Sequence, residues 1–378
     1  MNDGVFEMFE LKQSALASAV AVCVIMSACS GDGPVAAREI PQLVGAADGQ
    51  EAGCTTDQLE HNRQLVKAFF APERTPLDAY NMMTPDYIQH NEGVLRFGKI
   101  NNLNAHEAFL ALDNFLTSNG GRPELSEEPG RPKNEMAYKI IAICDYVTAV
   151  HRTYAPDPQN AGAYYAAYDF ELWRIKEGKF AEHWDSQSLP TPLPSFLVTP
   201  LQPAPAPVAA VPSLSQFVGA ADGGEVRCTA EQLEHNRQLV KTFFTPERTP
   251  LDAYNMMAPD YIQHNEGVIR FGRINGLNDR EAFLALDKFL TSNGRRPELV
   301  EEPGRPKNEM AYKIIASCDY VTAVHRTYAP DPQNAGAYYT VFDFELWRIK
   351  DGKFAEHWDS QRIPTPMPQF LLVPLQNL

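Results

Sequence analysis

At 378 residues, 44% hydrophobic and 21% charged, the chain has ordinary globular proportions and room for more than one domain. Its formal net charge of −15 argues against a nucleic-acid partner, because phosphate binding needs a basic surface. Neither a Walker-type loop nor a dinucleotide glycine fingerprint is present, so the main nucleotide-binding classes are set aside.

The first 29 residues read as a targeting segment. Lys12 precedes an apolar run from Ala15 to Ala28, too short to span a bilayer comfortably, and Cys29 follows Met26-Ser27-Ala28. Small residues before a cysteine resemble a bacterial lipoprotein cleavage box, so Cys29 is the expected lipidation site. A plain secretory signal with an incidental cysteine is the alternative. Either reading exports the protein to the periplasm or anchors it as a lipoprotein, with membrane contact only through the lipid. Residues 30–52 then form a linker.

From there the chain is written twice. Gly45-Ala46-Ala47-Asp48 returns at Gly219-Ala220-Ala221-Asp222, Tyr87-Ile88-Gln89-His90-Asn91 at Tyr261–Asn265, and Glu182-His183-Trp184-Asp185 at Glu356–Asp359. Such a long, constant period means a duplicated domain rather than a solenoid unit. Domain 1 is assigned to 53–201, a Pro/Ala-rich linker to 202–226 and domain 2 to 227–378. The remaining cysteines fall as one equivalent pair per repeat. In an oxidising compartment they are expected to form disulfides Cys54–Cys144 and Cys228–Cys318, four free thiols being the alternative. No Cys/His spacing suggests structural zinc.

Within a repeat, Thr55-Thr56-Asp57-Gln58 has the form of a capping box and predicts a helix over 56–70. Pro76 suits the first turn of a second helix running through Met83, and Phe109, Leu112, Phe115 and Leu116 predict a third over 107–116. Tyr138–Tyr154 then reads as one long strand, or two with a bend near Cys144-Asp145. Strands over 163–175 and 179–187 flank Lys176-Glu177-Gly178, a short hairpin loop. Helices followed by an antiparallel meander define an α+β fold.

Strand parity places His183 and Asp185 on one face and Glu182 and Trp184 on the other. If Ile175 sits opposite Lys179, Glu171 meets His183 and Asp169 meets Asp185; a loop one residue shorter would separate the two sets. Crowded carboxylates would raise one another's pKa and favour His183 as imidazolium. His151 shares a parity with Val147 and Ala149, and either lines a pocket or is a satisfied structural histidine.

These motifs (Tyr87–Asn91, Asp145-Tyr146-Val147 leading to His151, Glu171-Leu172-Trp173-Arg174, and Gly178-Lys179-Phe180-Ala181-Glu182-His183-Trp184-Asp185) resemble the SnoaL-like polyketide cyclase family of the nuclear transport factor 2-like superfamily. The resemblance implies three helices on a strongly curved sheet that closes into a cone around a pocket. It implies that His90, His183 and Asp185 line that pocket as catalytic candidates, with Glu171 where the family usually has Asp; His264, Glu345, His357 and Asp359 match in the second repeat. Tyr87, Asn91, His151, Asp169 and Trp173 would complete the lining, as would Tyr261, Asn265, His325, Asp343 and Trp347. A metal on His90, His151, His183 and Asp185 is conceivable by ligand type, but no metal or other cofactor is expected. The activity implied is general acid–base chemistry of the cyclase, aldol or isomerase kind on a small apolar carbonyl compound. A binding module for a hydrophobic ligand or partner protein is the alternative. Domains of this superfamily commonly pair, so the repeats are expected to pack as an intrachain pseudo-dimer. The copies also supply a control: His106 becomes Arg280 and Asn114 becomes Lys288, so no shared function requires those side chains.

Overall fold

The computed structural model describes residues 54–119, 129–201, 228–293 and 303–377. The leader, Cys29 and the residues assigned to both linkers lie outside the described residues, whereas every other site position above lies within them. Among the described residues no helix is long and apolar enough to cross a membrane.

Repeat 1 runs α1 (Thr56–Phe69), α2 (Pro76–Asn81), β1 (Met83–Gln89), α3 (Glu92–Asn101), α4 (Ala105–Ser118), β2 (Glu135–Ala142), β3 (Tyr146–Pro156), β4 (Tyr164–Lys176) and β5 (Lys179–Asp185). Repeat 2 follows the same order with α5 (Ala230–Phe243), α6 (Pro250–Met256), β6 (Met257–Gln263), α7 (Glu266–Asn275), α8 (Asp279–Ser292), β7 (Glu309–Ala316), β8 (Tyr320–Pro330), β9 (Tyr338–Lys350) and β10 (Lys353–Asp359). The fold is α+β, with two five-stranded sheets ordered β1-β5-β4-β3-β2 and β6-β10-β9-β8-β7. The first strand of each is parallel to its neighbour and the other pairs are antiparallel.

The expected first helix and its capping box are present, with the Thr55 hydroxyl accepting from the Gln58 N–H. The long stretch before Pro156 is two strands rather than one, broken at 143–145. Two elements were not expected. The second helix stops at Asn81 and Met83 opens β1, a strand whose Pro85 and shifted register hide its period. Helix α3 carries Gly93 and Gly98, which lower its apparent propensity. Gly98 is required by packing: a Cβ there would lie 2.9 Å from Ala108 Cβ on α4 and 3.1 Å from the Leu103 carbonyl oxygen.

Helices α1, α2 and α4 cover the concave face of the sheet. Val66, Phe69, Ala79 and Tyr87 pack there against Val147, Ala149, Trp173, Ile175 and Phe180. Along β3 and β4 this inward face changes from apolar to polar, through His151 and Thr153 on one strand and Glu171 and Asp169 on the other. Cys54–Cys144 and Cys228–Cys318 are both bonded, with Cα atoms 5.3 and 5.2 Å apart, and each ties the start of a repeat's first helix to the β2–β3 or β7–β8 turn.

The opposite faces of the two sheets pack on each other. Val150, Tyr168, Phe170, Leu172 and Trp184 share one apolar cluster with Val324, Phe342, Phe344, Leu346 and Trp358. Equivalent residues meet across an approximate two-fold: Phe170 stacks on Phe344 with centroids 5.8 Å apart, and the Thr148 and Thr322 hydroxyls are 3.2 Å apart. The repeats thus form an internal pseudo-dimer. Its rim is made of reciprocal contacts. Arg96 pairs with Asp331 at 2.9 Å and Arg270 with Asp157 at 2.7 Å. The tail after each sheet crosses to the other repeat, where the Leu189 N–H donates to the Tyr339 hydroxyl and the Ile363 N–H to the Tyr165 hydroxyl.

Candidate functional site

The β4–β5 hairpin decides which side chains meet. Its turn is the two-residue Glu177-Gly178, with φ of 53° and 71°, one residue tighter than the expected closure. That alone would have put His183 and Glu171 on opposite faces. A β-bulge at Ala181 restores the parity: Ile175 pairs with Phe180, but Arg174 pairs with Glu182. The register therefore differs from the one expected. Glu171 lies opposite Asp185 and Trp173 opposite His183, while Asp169 pairs with His151 on β3. All these residues still share the concave face.

Strand β1 supplies the partner of His183. The Gln89 side-chain oxygen accepts from the His90 and Asn91 N–H groups, both at 2.9 Å, and Gln89 Nε2 donates to the Tyr87 hydroxyl at 3.2 Å. This fixes Oε1 as an acceptor, so His183 Nδ1, 3.1 Å away, must donate to it. His183 Nε2 faces Glu171 Oε2 at 3.2 Å, and the ring stacks on Trp173 with centroids 5.1 Å apart. His151 is oriented by a second bulge. Ala137 adopts φ 51°, and its N–H turns inward to donate to His151 Nδ1 at 2.9 Å. The His151 proton therefore sits on Nε2, 3.6 Å from Glu171 Oε1. Asn91 caps α3 through its Oδ1, and its Nδ2 donates to both Asp185 oxygens at 2.9 and 2.8 Å.

Repeat 2 reproduces the group. His357 lies 3.1 Å from Glu345 and 3.2 Å from Gln263 Oε1, Asn265 donates to Asp359 at 2.8 and 2.9 Å, and the Ala311 N–H donates to His325 at 2.8 Å.

Burial and neighbouring charge separate these groups. Burial pushes Glu171 up, but the two histidines that face it, His151 and His183, overcome it and hold the carboxyl at about 2. His183 is pushed down by burial and raised on balance by Glu171, which favours its imidazolium form. Asp185 is raised to about 6, first by burial and then by the Glu171 charge, against the opposing effect of His183. Mutual elevation of the carboxylates thus applies to Asp185 but not to Glu171, which is bonded by His183 and faced by His151 at 3.6 Å. Glu345, His357 and Asp359 behave alike.

This pattern fixes a pH dependence of stability. Asp185 and Asp359 bind their protons more tightly folded (about 6 against an ordinary 3.8), so their contribution is present at low pH and lost as pH rises through 6. The raised His183 and His357 act in the same direction, above their ordinary 6.5. Glu171 and Glu345 contribute above 4.5 and lose that contribution as pH falls toward 2. The unfolding free energy, read from urea curves, is therefore expected to peak near pH ~4 and to fall by a few kcal/mol by pH ~8, most of that fall coming by pH ~6. The Asp185→Asn, Asp359→Asn pair should flatten the part of that decline between their ordinary 3.8 and about 6; an unaltered slope there would refute the assignment.

His90 is not with His183: it follows β1 on the opposite parity, bonds Glu182 at 2.8 Å and stacks on Trp184 at 4.7 Å, beside Phe342 of the other repeat. His264 repeats this against Glu356 and Trp358. A shared metal on His90, His151, His183 and Asp185 is thereby ruled out by position. Trp173 and Trp347 form the apolar wall behind the histidines. Gln89 and Gln263 had not been singled out, although alternation from Tyr87 gives them the inward face that it denies His90. His106 and Arg280 donate to the same carbonyl, of Tyr80 or Tyr254, so that exchange conserves a structural contact.

Each repeat is thus an α+β domain with an inward-facing His–carboxylate group. No family model matches the chain, and no curated protein does. Among solved structures, TsrD from Streptomyces laurentii matches at 19% identity over 33% of this chain and 87% of its own, with a TM-score of 0.23. IdmH from Streptomyces antibioticus, provisionally a polyketide cyclase, matches at 16% identity over 34% of this chain and 90% of its own, with a TM-score of 0.21. A provisional SnoaL-like polyketide cyclase from Jannaschia sp. CCS1 matches at 14% identity over 37% and 90%, also with a TM-score of 0.21. Each match spans about one repeat, and at these scores none carries an argument about activity.

Proposed function

We propose that the protein is an exported SnoaL-like enzyme that performs cofactor-free acid–base chemistry on a small apolar carbonyl compound in each repeat. The observation that carries this reading is the buried set of His183, Glu171 and Asp185, in which one carboxyl is held ionised and its neighbour titrates near neutrality. Asp185 would take or return a proton beside the carbonyl, while the His183–Glu171 pair sets the field around it. Tyr87, whose hydroxyl is kept protonated by burial and by both carboxylates, would donate to the developing oxyanion. Cyclisation, aldol-type condensation and isomerisation all use this step. The bonded cysteine pairs support export, with Cys29 as the proposed lipid anchor.

The test is exchange of the α-protons of an apolar 1,3-diketone in D2O, followed by NMR. The wild-type protein should exceed the buffer rate, and His183→Ala with His357→Ala should lose on the order of 100-fold or more of that excess. A second reading is a binding module. It is favoured by the mutual satisfaction of these side chains: Asp185 is bound by Asn91 and by the Gln187 N–H, and His183 has partners on both nitrogens. Saturable diketone binding with no exchange above buffer would select it.

A further inference from the structure

The repeats differ at one charged position whose surroundings they otherwise share. In repeat 1, Arg362 comes from the tail that follows β10 and reaches Asp169, its Nη2 donating to both carboxylate oxygens at 2.8 Å. The same nitrogen lies 3.5 Å from Thr153 Oγ1, which donates to Asp169 at 2.9 Å. In repeat 2 the threonine is kept, with Thr327 donating to Asp343 at 2.8 Å. The position equivalent to Arg362 is Ser188, which has neither the length nor the charge to play the same part. Arg305 is near enough for its charge to act on Asp343, but its Nη2 donates to the Tyr328 carbonyl at 2.6 Å.

The electrostatics follow this difference. Burial pushes Asp169 up, and Arg362 more than reverses it; burial also pushes Asp343 up, and there the rise persists. A half-buried carboxylate gains most from a charge-assisted donor, and a guanidinium matches it in both shape and charge. Repeat 1 therefore displays, inside the same molecule, how such a group sits on this carboxylate and threonine.

We infer that repeat 2 binds a small organic cation, a guanidinium or primary ammonium group, on Asp343 and Thr327, in the place that the Arg362 guanidinium takes on Asp169 and Thr153. The site is independent of any turnover at His183 and His357. It makes the two repeats unequal: one holds its cation covalently, the other takes it from solution.

The test is carboxyl-detected NMR of the full-length protein titrated with methylguanidinium and, separately, butylammonium. In the wild type the Asp343 resonance should shift saturably while Asp169 stays fixed. Ser188→Arg, which brings the chain's own guanidinium to Asp343, should weaken binding there by about 10-fold or more. Arg362→Ser should make Asp169 respond as Asp343 does. Response to both probes assigns the site to cations generally, and response to methylguanidinium alone assigns it to guanidinium. Absence of a saturable shift at Asp343, or undiminished binding in Ser188→Arg, would overturn the inference. Asp343→Asn should abolish the response, and Ser188→Arg and Arg362→Ser, which alter only tail residues, decide the matter if that variant does not fold.

Discussion

Phe344→Asp is expected to destabilise both repeats together, by on the order of 4–5 kcal/mol. Phe344 is fully buried and stacks on Phe170 at the centre of the cluster that joins the sheets. The substitution removes a large apolar side chain and leaves a carboxylate with no partner in its place. Because the cluster is built equally from both sheets, one unfolding transition should move as a unit. Urea unfolding followed by tryptophan fluorescence reads it, since Trp173 and Trp184 report on repeat 1 and Trp347 and Trp358 on repeat 2. Leu95→Asp is the control: Leu95 is 40% exposed, and its change should stay within about 0.5 kcal/mol. A repeat 1 transition left in place in Phe344→Asp would remove the case for a shared core.

The second large effect concerns the covalent ties. Cys54 and Cys144 are 90 residues apart in sequence, as are Cys228 and Cys318. Closing a loop of that length restricts the unfolded chain by about 4–5 kcal/mol in the chain-entropy model. Replacing one pair by alanine should lower the unfolding free energy, read from denaturant curves, by roughly that amount, and replacing both should cost nearly twice as much, because the pairs lie in separate repeats. Equal midpoints for the oxidised and doubly substituted proteins would show that the loops are already ordered in the unfolded state. A reductant titration at neutral pH should reproduce the loss in the wild-type chain.

Much of the architecture was legible because it is written in local signals. The Thr55 capping box, the apolar spacing of the first and last helices and the β-rich second half each announce themselves, and the duplication repeats them. What could not be read is what depends on irregular backbone. The bulge at Ala181 has no signature of its own, yet together with the two-residue turn it sets Glu171 opposite Asp185; without it Glu171 would sit opposite Trp184. The left-handed backbone at Ala137, which aims His151, is equally silent. His90 is a different case. It stands in the most recognisable motif of the repeat, and the alternation Tyr87, Gln89, Asn91 already turns it outward. Parity along β1 would have exchanged His90 for Gln89 among the candidates. Arg362 escaped for a third reason: it acts on a strand nearly two hundred positions away, which only the crossed tails bring near.

Those crossed tails have a consequence for how such a molecule can change. In a dimer of identical chains every substitution is made twice, so its two halves cannot be tuned apart. Joining the halves on one chain lifts that restriction. A single exchange at position 188 or 362 alters the environment of one carboxyl and leaves its counterpart as it was, while the Phe170–Phe344 and Thr148–Thr322 contacts keep the pairing that both halves need. The fused chain keeps the mechanical advantage of symmetry and is free of its genetic constraint.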